Sequence, residues 1–390
     1  LTTAQVQQIY TNQLAGRNYD GTTRAPVCNP GPHHFEISHA SGNGLTCAMQ
    51  TLTIRACADA TCSTLYTGGV SGSLSTSGAP TVAWDGTSGG AAGSGFVIAA
   101  GAGSVTKNVQ VSTPGSVVFG VSGALPTTCT FGSPQCTFTS TDAGFVVANS
   151  ATGGAYTIPA QVAGTSSGTL YLRALQASTT NPAVCTPAIA GQNNVAVNLG
   201  YACNDPTTCS SGNRLTVNTT PVAGSPNSTP TQNSTSVNLN FDANGSAPIT
   251  LNYADVGRIT LYASKTITPP NGTAVTLRGN SNAFVVKPFN FVLSAPLCQG
   301  SGANPGAADA LGGKFCPAGE NFSLTVTALA NGGAATPNYG KETSPEGVRL
   351  VPTLVSDLGL TANPGVSGSF GSFSNGVASA RATSSTGTTG

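Results

Sequence analysis

The chain has 390 residues, which is enough for two to four domains with separate hydrophobic cores. Only 7% of the residues are charged and the net charge is +1, so the sequence indicates no basic surface that would bind nucleic acid or anionic lipid. The hydrophobic content of 39% is sufficient for folded cores. No apolar run approaches the roughly 18 residues of a membrane span, so no membrane insertion is predicted.

Residues 1–27 are predicted to form a short helix, LTTAQVQQIYTNQL, followed by a connector. We expect its apolar residues, Leu1, Val6, Ile9 and Leu14, to pack against a preceding domain. Because this polar opening is not a signal peptide, we also expect the chain to be a piece of a longer exported precursor.

Residues 28–124 are predicted to form an immunoglobulin-like β-sandwich. The stretch HHFEISH is followed by a Gly-Asn-Gly turn and by LTCAMQTLTIRAC, in which apolar and β-branched residues recur at every second position. This alternation is typical of half-buried strands, and the glycines favour a tight turn between them. Further short strands follow, with turn residues every 8–12 positions, up to a predicted last strand in VVFGVSGA.

Two more sandwiches are predicted in the rest of the chain. Residues 125–287 indicate a larger one, which contains the Pro/Ser/Thr/Asn-rich stretch 219–236. We expect that stretch to be a long exposed loop, or a linker that splits the unit in two. Residues 288–390 indicate a C-terminal sandwich that we expect to be incomplete. The predicted fold class is therefore all-β, with tandem disulfide-stapled immunoglobulin-like sandwiches and a short N-terminal helical connector.

The 11 cysteines predict disulfides rather than a metal centre, because the sequence contains no CxxC spacing. Most of them fall into pairs that are close in sequence and enclose loops between strands, as staples of hairpins do. Cys185 is left over; it is expected to replace one partner of the 203/209 pair, to bond outside this chain, or to stay unpaired. The predicted pairs are Cys57/Cys62, Cys129/Cys136, Cys203/Cys209 and Cys298/Cys316, with Cys28/Cys47 as a plausible fifth.

The three histidines, His33, His34 and His39, crowd one segment and are the natural candidates for a metal site. By strand parity His33 and His39 share one face, and Glu36 lies opposite His33. Outward-facing polar histidines are the favoured interpretation, because a zinc or copper site would need further carboxylate or cysteine ligands. In the same way, Asp242 in FDANG begins like a calcium loop, but the absence of later acidic residues favours a hairpin turn.

Enzymatic activity is not predicted. All three histidines lie within seven residues, no GxSxG motif occurs, and the acidic residues are scattered singly, mostly in turns. An enzyme or carbohydrate-binding site at Glu36 and the histidines is kept as a third hypothesis. No cofactor and no metal is predicted. Examples of single acidic residues in predicted turns are Asp20, Asp59, Asp85 and Asp309.

Several sequence blocks resemble the large C-terminal module of MshQ-type proteins, which are bacterial surface proteins associated with mannose-sensitive haemagglutinin pili. The blocks are HHFEISHASGNGLTC, LTIRACADATCSTLYTG, GFVVAN, IPAQVAG, YADVGRITLYAS, NAFVVKPFNF and NPGAADALGGKFCPAGENFSLTVTAL with ATPNYG, in the family's order over about residues 30–345. The opening VQQIYTNQLAGRNYDGTTR resembles the exit of a laminin-G/concanavalin-like domain. The resemblance implies an exported, surface- or pilus-associated protein of Gram-negative bacteria, and it implies no catalytic residues.

The leading hypothesis is a non-enzymatic extracellular adhesin, or the stalk of one, at a pilus or cell surface. Its expected partners are other surface or pilus proteins, and host or surface glycans reached through a missing upstream domain. The alternative is a filament subunit that self-associates through the edges of its β-strands.

Overall fold

The computed structural model describes residues 1–15, 17–22, 31–123, 126–132, 135–268, 272, 274–294, 296–299, 302–303, 321–351 and 366–384. Helix α1 (Thr3–Leu14) opens the chain, and its first turn is closed by a capping box between Thr2 and Gln5. Leu1, Val6 and Leu14 on this segment are exposed. Within the described residues, no helix is long and apolar enough to cross a bilayer.

In the described part of the chain, the remaining regular structure is β-strand, apart from one short 3-10 turn at Ser88–Gly90. The prediction of an all-β chain with one short N-terminal helix is confirmed. The strands are β1 (His34–Ser38), β2 (Asn43–Leu45), β3 (Gln50–Cys57), β4 (Val70–Ser77), β5 (Val82–Trp84), β6 (Gly95–Ile98), β7 (Ser104–Val111), β8 (Gly115–Val121), β9 (Thr127–Cys129), β10 (Thr137–Thr141), β11 (Ala143–Ala148), β12 (Gln161–Val162), β13 (Leu170–Ala177), β14 (Cys185–Pro187), β15 (Gln192–Asp205), β16 (Leu215–Val217), β17 (Thr220–Pro226), β18 (Thr235–Phe241), β19 (Ser246–Ile249), β20 (Leu251–Tyr253), β21 (Gly257–Ile267), β22 (Val275–Asn280), β23 (Phe284–Lys287), β24 (Asn290–Leu293), β25 (Leu297–Cys298), β26 (Gly302–Ala303), β27 (Asn321–Leu329), β28 (Val366–Phe370) and β29 (Val377–Ser384).

The chain divides into two compact units. The first consists of residues 1–39, 49–111 and 115–139, and the second of residues 40–48, 112–114 and 140–390. In the first unit, one sheet has the strand order β5-β7-β3-β1-β9 and the other contains β10-β8-β4-β6. Alternate residues of β3 are buried, among them Leu52 and Ile54, as the sequence alternation predicts.

Residues 125–139 lie in the first unit, although the sequence analysis assigned them to the second sandwich. Strand β9 runs parallel to β1, with Ile37 opposite Cys129. Phe131 and Phe138 are buried in the core of the first unit. The stretch VVFGVSGA is therefore not the last strand of this sandwich, because two aromatic side chains beyond it complete the core.

The second unit contains three sheets. A four-stranded sheet has the order β11-β13-β14, with β19 also paired to β13. A nine-stranded sheet has the order β12-β23-β21-β15-β17-β16-β20, with β18 paired to β15 and β22 to β21. A six-stranded sheet has the order β26-β25-β27-β29-β28, with β24 paired to β27.

The stretch 219–236 is not the long loop or linker that was predicted. Its first part forms β17, which pairs in parallel with β15 and antiparallel with β16. Val222 is fully buried, and the buried Ser225 hydroxyl accepts a hydrogen bond from the Asn233 amide at 2.9 Å. Backbone pairing on both sides, one buried apolar side chain and a satisfied buried hydroxyl thus accompany the inclusion of this Pro/Ser-rich segment in a sheet.

The disulfides require one correction to the predicted pairing. Cys47 is bonded to Cys185, with a Cα–Cα distance of 5.0 Å, so the plausible pair Cys28/Cys47 is wrong and Cys185 is not left over. Both belong to the second unit, because the segment 40–48 lies there. The prediction was wrong because it assumed that bonded cysteines are close in sequence, whereas 138 positions separate Cys47 from Cys185.

Three of the predicted local pairs are bonded: Cys57–Cys62, Cys129–Cys136 and Cys203–Cys209. Cys129–Cys136 is not the staple of a hairpin, because β9 and β10 belong to different sheets. Cys298 is disulfide-bonded as well. Its predicted partner Cys316, and Cys28, lie outside the described residues.

Candidate functional site

The histidine segment does not present the outward polar side chains that were predicted. His33 is exposed, but His34 and His39 are buried. Glu36 forms an ion pair of 2.8 Å with Arg55 on the neighbouring strand β3, so its carboxylate is already engaged. The third hypothesis, an enzyme or carbohydrate-binding site acting through Glu36 and the histidines, would thus have to use two buried imidazoles and a carboxylate that is paired with Arg55.

His39 is a core residue of the first unit. Its Nε2 lies 3.2 Å from the Gln50 side-chain oxygen, and its ring packs edge-on against Phe131 and Phe138. Burial lowers the pKa of His39 to about 4, with the Gln50 hydrogen bond acting in the opposite direction. The imidazole is consequently neutral at physiological pH.

His34 lies beside the Cys57–Cys62 disulfide, and the possible ligand atoms of these three residues are within 4.8 Å of one another. Among the described residues, these three form the one cluster of at least three possible metal ligands. Metals bind cysteine as the thiolate, and both sulfurs are consumed by the disulfide. With the disulfide formed, the two cysteines are therefore not available as metal ligands, and His34 packs beside a buried disulfide.

Asp242 forms a turn and not a calcium loop. Its Oδ1 accepts hydrogen bonds from the backbone amides of Asn244 and Ser246, at 2.8 and 2.9 Å. Gly245 has a φ of +72°, the left-handed conformation that the Asn-Gly sequence predicted. The turn is not a hairpin, because β18 and β19 on either side of it belong to different sheets.

The second unit contains an open cleft of about 700 Å³, a size typical of small-molecule sites. The end of β15, the strands β21, β23 and β24, and the segment 339–346 supply its walls. It combines apolar and aromatic side chains with charged groups of both signs. The lining residues are Asp205, Val256, Gly257, Arg258, Val285, Val286, Lys287, Pro288, Phe291, Tyr339, Glu342, Ser344 and Glu346.

The cations of the cleft come from one face of the sheet formed by β21 and β23. Arg258 lies opposite Val285 in the antiparallel register, and Lys287 lies two positions further along the same face. Both side chains are exposed. Neither makes a hydrogen bond or ion pair with any residue that the structure describes.

The carboxylates of the cleft, by contrast, already accept hydrogen bonds from the protein. Asp205 accepts from the backbone amide and the hydroxyl of Thr343, at 2.8 and 3.2 Å. Glu342 accepts from the Gly340 amide at 2.6 Å, and Glu346 accepts from the Tyr339 hydroxyl. Burial, together with Glu346, raises the pKa of Tyr339, so the phenol remains a donor at neutral pH.

A buried polar network holds the wall of the cleft that carries Tyr339. Asp255 is fully buried, and its Oδ1 accepts hydrogen bonds from the backbone amides of Val256 and Asn338, at 2.9 and 3.1 Å. The Asn338 side chain donates to the Tyr253 hydroxyl and the Val256 carbonyl, each at 3.3 Å. Such a satisfied amide fixes the loop in one position.

Burial of the Asp255 carboxyl is the energetically unfavourable feature of this network. Its Oδ2 has no hydrogen-bond partner among the described atoms, and burial raises the pKa of its carboxyl. An incompletely solvated buried carboxylate destabilises the folded state unless the contacts around it compensate. The hydrogen bonds that its Oδ1 accepts from the Val256 and Asn338 amides offset part of that cost.

Among the described residues, the lining of the cleft contains no histidine and no cysteine, and its three carboxylates accept hydrogen bonds from protein donors. Sequence reasoning missed it because its residues come from strands that are far apart in the chain. The asparagine-tyrosine pair in ATPNYG was noted only as part of a resemblance and not as the wall of a site.

Comparison with solved structures returns several surface proteins at low similarity. The Escherichia coli adhesin FdeC is 14% identical, with 91% of this chain and 89% of that chain covered and a TM-score of 0.28. The D0-D1 domain of intimin is 14% identical, with 64% and 96% covered and a TM-score of 0.26. Invasin, described as a bacterial integrin-binding protein, is 11% identical, with 76% and 56% covered and a TM-score of 0.20. Similarity at this level carries no argument about function.

Comparison with domain families is more specific, whereas no curated protein matches the chain. Residues 126–280 match the domain of unknown function DUF6701, first Ig-like domain, and residues 287–387 match the second domain of DUF6701. Residues 33–127 match the domain of unknown function DUF8613. The predicted immunoglobulin-like character is thereby confirmed. In chain order, the chain is therefore similar to the DUF8613 model and then to the first and second DUF6701 domain models.

Proposed function

We propose that this chain is a non-enzymatic extracellular protein with an adhesive or structural role at a bacterial cell surface. The observation that carries the proposal is the set of disulfides that staple the sheets. Four of them have both cysteines among the described residues, and one of these spans 138 positions. Disulfides of this density persist in oxidising compartments and are rare where thiols are kept reduced. A near-neutral surface with few charges agrees with this location.

The finer form of the proposal is an adhesin or adhesin stalk associated with a type IV pilus. Its support is the resemblance of the sequence blocks to MshQ-type proteins, which extends over both DUF6701 domains. In this proposal, other surface or pilus proteins are the partners, and an upstream concanavalin-like domain contacts glycans. In this proposal the stalk consists of three consecutive sandwiches. The starts of the two DUF6701 matches, at 126 and 287, lie close to the predicted boundaries at 125 and 288, although residues up to 139 pack in the first unit.

The test is an adherence assay with the producing bacterium. A strain that lacks residues 1–390 of the protein is compared with the parent and with a strain complemented by the full gene. We expect adherence to cells or glycan-coated surfaces to fall and to return on complementation. Unchanged adherence, with the protein absent from the outer surface of the parent, would reject the proposal.

A second candidate function is a filament subunit that pairs through strand edges, and strand β24 favours it. All four of its residues are exposed and none is charged. Among the described strands it pairs only with β27, so its other edge is a candidate for pairing with a second chain. Natural edge strands are normally protected by lysine or proline, and β24 has neither.

The edge hypothesis is tested by sedimentation of the purified oxidised chain over a range of concentrations. Ser294 donates its amide to Thr325 of β27, and by alternation the amide of Leu293 points to the free edge. Leu293→Pro removes that donor without breaking the ladder and should reduce association, whereas Leu293→Val should not. A chain that stays monomeric at every concentration would exclude the filament role.

A further inference from the structure

We propose that the cleft in the second unit binds a saccharide that carries a carboxylate group, such as a sialate or a uronate. This inference deepens the proposed adhesive function, because it gives this chain a ligand site of its own. The adhesive function does not depend on it, since a stalk could present another domain without binding anything itself.

The free cations indicate that the ligand carries negative charge. Arg258 and Lys287 project from the same face of neighbouring strands, and neither has a partner among the described residues. An arginine and a lysine at diagonal positions can bind one carboxylate together, with the guanidinium as a planar fork and the ammonium as a point charge.

The acidic wall indicates that the rest of the ligand consists of hydroxyl donors. Glu342 and Glu346 line the cleft from the segment 339–346, and Asp205 is the cross-strand partner of Arg258 in the register of β15 and β21. Three carboxylates would repel a simple anion such as phosphate or a peptide rich in acidic side chains. Their remaining lone pairs can instead accept hydrogen bonds from sugar hydroxyls, because an ionised carboxylate accepts several.

The apolar wall supplies a platform for a ring. Phe291 is 44% exposed, and its ring packs against Tyr339 at 5.5 Å and Phe373 at 5.7 Å between centroids. Pro288 and Val285 extend this surface toward the cations. The negative face of an aromatic ring attracts the polarised C–H groups of a sugar, and the supporting rings keep Phe291 in place.

The site is also preorganised, which reduces the entropic cost of binding. The hydrogen bonds of Asn338 to Asp255, Tyr253 and Val256 fix the start of the acidic wall. The bond from Thr343 to Asp205 fixes its middle against β15. A wall that is already in place loses little freedom when a small ligand enters.

The experiment is isothermal titration of the oxidised 390-residue chain with 3′-sialyllactose and with glucuronate-terminated disaccharide, and lactose is the neutral control. We expect saturable binding of at least one acidic sugar and none of lactose. Arg258→Gln and Lys287→Gln should each weaken binding at least about tenfold, because each removes a charge-assisted hydrogen bond. Arg278→Gln and Lys265→Gln, on the same sheet but outside the cleft, are the matched controls.

Phe291→Leu tests the platform, since it removes the ring but keeps an apolar side chain. It should weaken binding between about twofold and tenfold. Thermal unfolding of each variant shows whether its fold is intact.

Absence of binding up to millimolar sugar would overturn the inference. Equal affinity for lactose, equal losses in the control variants, or preference for an acidic peptide would overturn it as well. If the sugars fail to bind while deletion still abolishes adherence, the inference falls and the proposed function stands.

Discussion

Loss of the Cys47–Cys185 disulfide should destabilise the chain more than loss of any other described disulfide. The bond spans 138 positions, and the chain-entropy relation gives about 5 kcal/mol for a loop of that length at 25 °C. The Cys203–Cys209 bond in the same unit spans 6 positions, for which the relation gives about 2 kcal/mol. The expected difference between the two double variants is therefore about 3 kcal/mol.

The assay compares Cys47→Ala/Cys185→Ala with Cys203→Ala/Cys209→Ala in guanidinium titrations followed by circular dichroism. Alanine is used instead of serine, because serine would place a hydroxyl at the buried Cys47 position, where Leu45 and Leu175 pack. Because the loop includes most of the first unit, the full effect requires a baseline in which both units are unfolded. Equal losses of stability in the two variants would refute the loop-entropy reasoning and assign the effect to local packing.

Three further predictions concern buried ionisable groups. Because the pKa of His39 is about 4 when folded and 6.5 when unfolded, the first unit should lose about 3 kcal/mol of stability as the pH falls from 6.5 to 4. Trp84 fluorescence measures this loss of stability, which should be smaller in His39→Gln and unchanged in the control His33→Gln. An unaltered pH dependence in His39→Gln would contradict the assignment to His39. The buried Lys107 ammonium donates to the Ser88 and Ala91 carbonyls at 2.6 and 2.7 Å, so Lys107→Met should cost about 2–3 kcal/mol in urea titration. Lys265→Met is its control, with an expected change within about 0.5 kcal/mol, and a similar effect of both would count against the buried lysine. Because burial raises the folded pKa of Asp255 above its unfolded value, stability should fall as pH rises from the ordinary carboxyl range through the folded pKa. Urea titrations across that range should show a flatter pH dependence for Asp255→Asn, and an identical one would show that Asp255 does not titrate there.

The sequence predicts strands well where their residues alternate, as in β3, because burial of one sheet face imposes a period of two. It fails where a strand is held by few apolar contacts, as in β17, since Val222 alone does not make a pattern. The sequence also fails to predict the burial of His39. This burial depends on contacts of the imidazole with Phe131 and Phe138, which lie about 90 residues further along the chain.

The cysteine pairing shows the same limit. Short separations predict Cys57–Cys62 and Cys203–Cys209 because the loops between them bring the ends together without help from the fold. Cys47 and Cys185 meet only through tertiary structure, in which Thr46 donates its hydroxyl to Asp142 at 2.8 Å beside the bond. The cleft is of this second kind, since Arg258 and Lys287 become neighbours through the register of β21 and β23.

Adherence of the producing bacterium with and without this protein is the most direct measurement of the central claim. The parent, the deletion strain and the complemented strain are counted on the same cell layers and glycan surfaces, with surface exposure verified by antibody labelling of intact cells. We expect labelled parent cells and a loss of adherence on deletion that complementation restores. Intact cells that do not label, together with full adherence of the deletion strain, would contradict it.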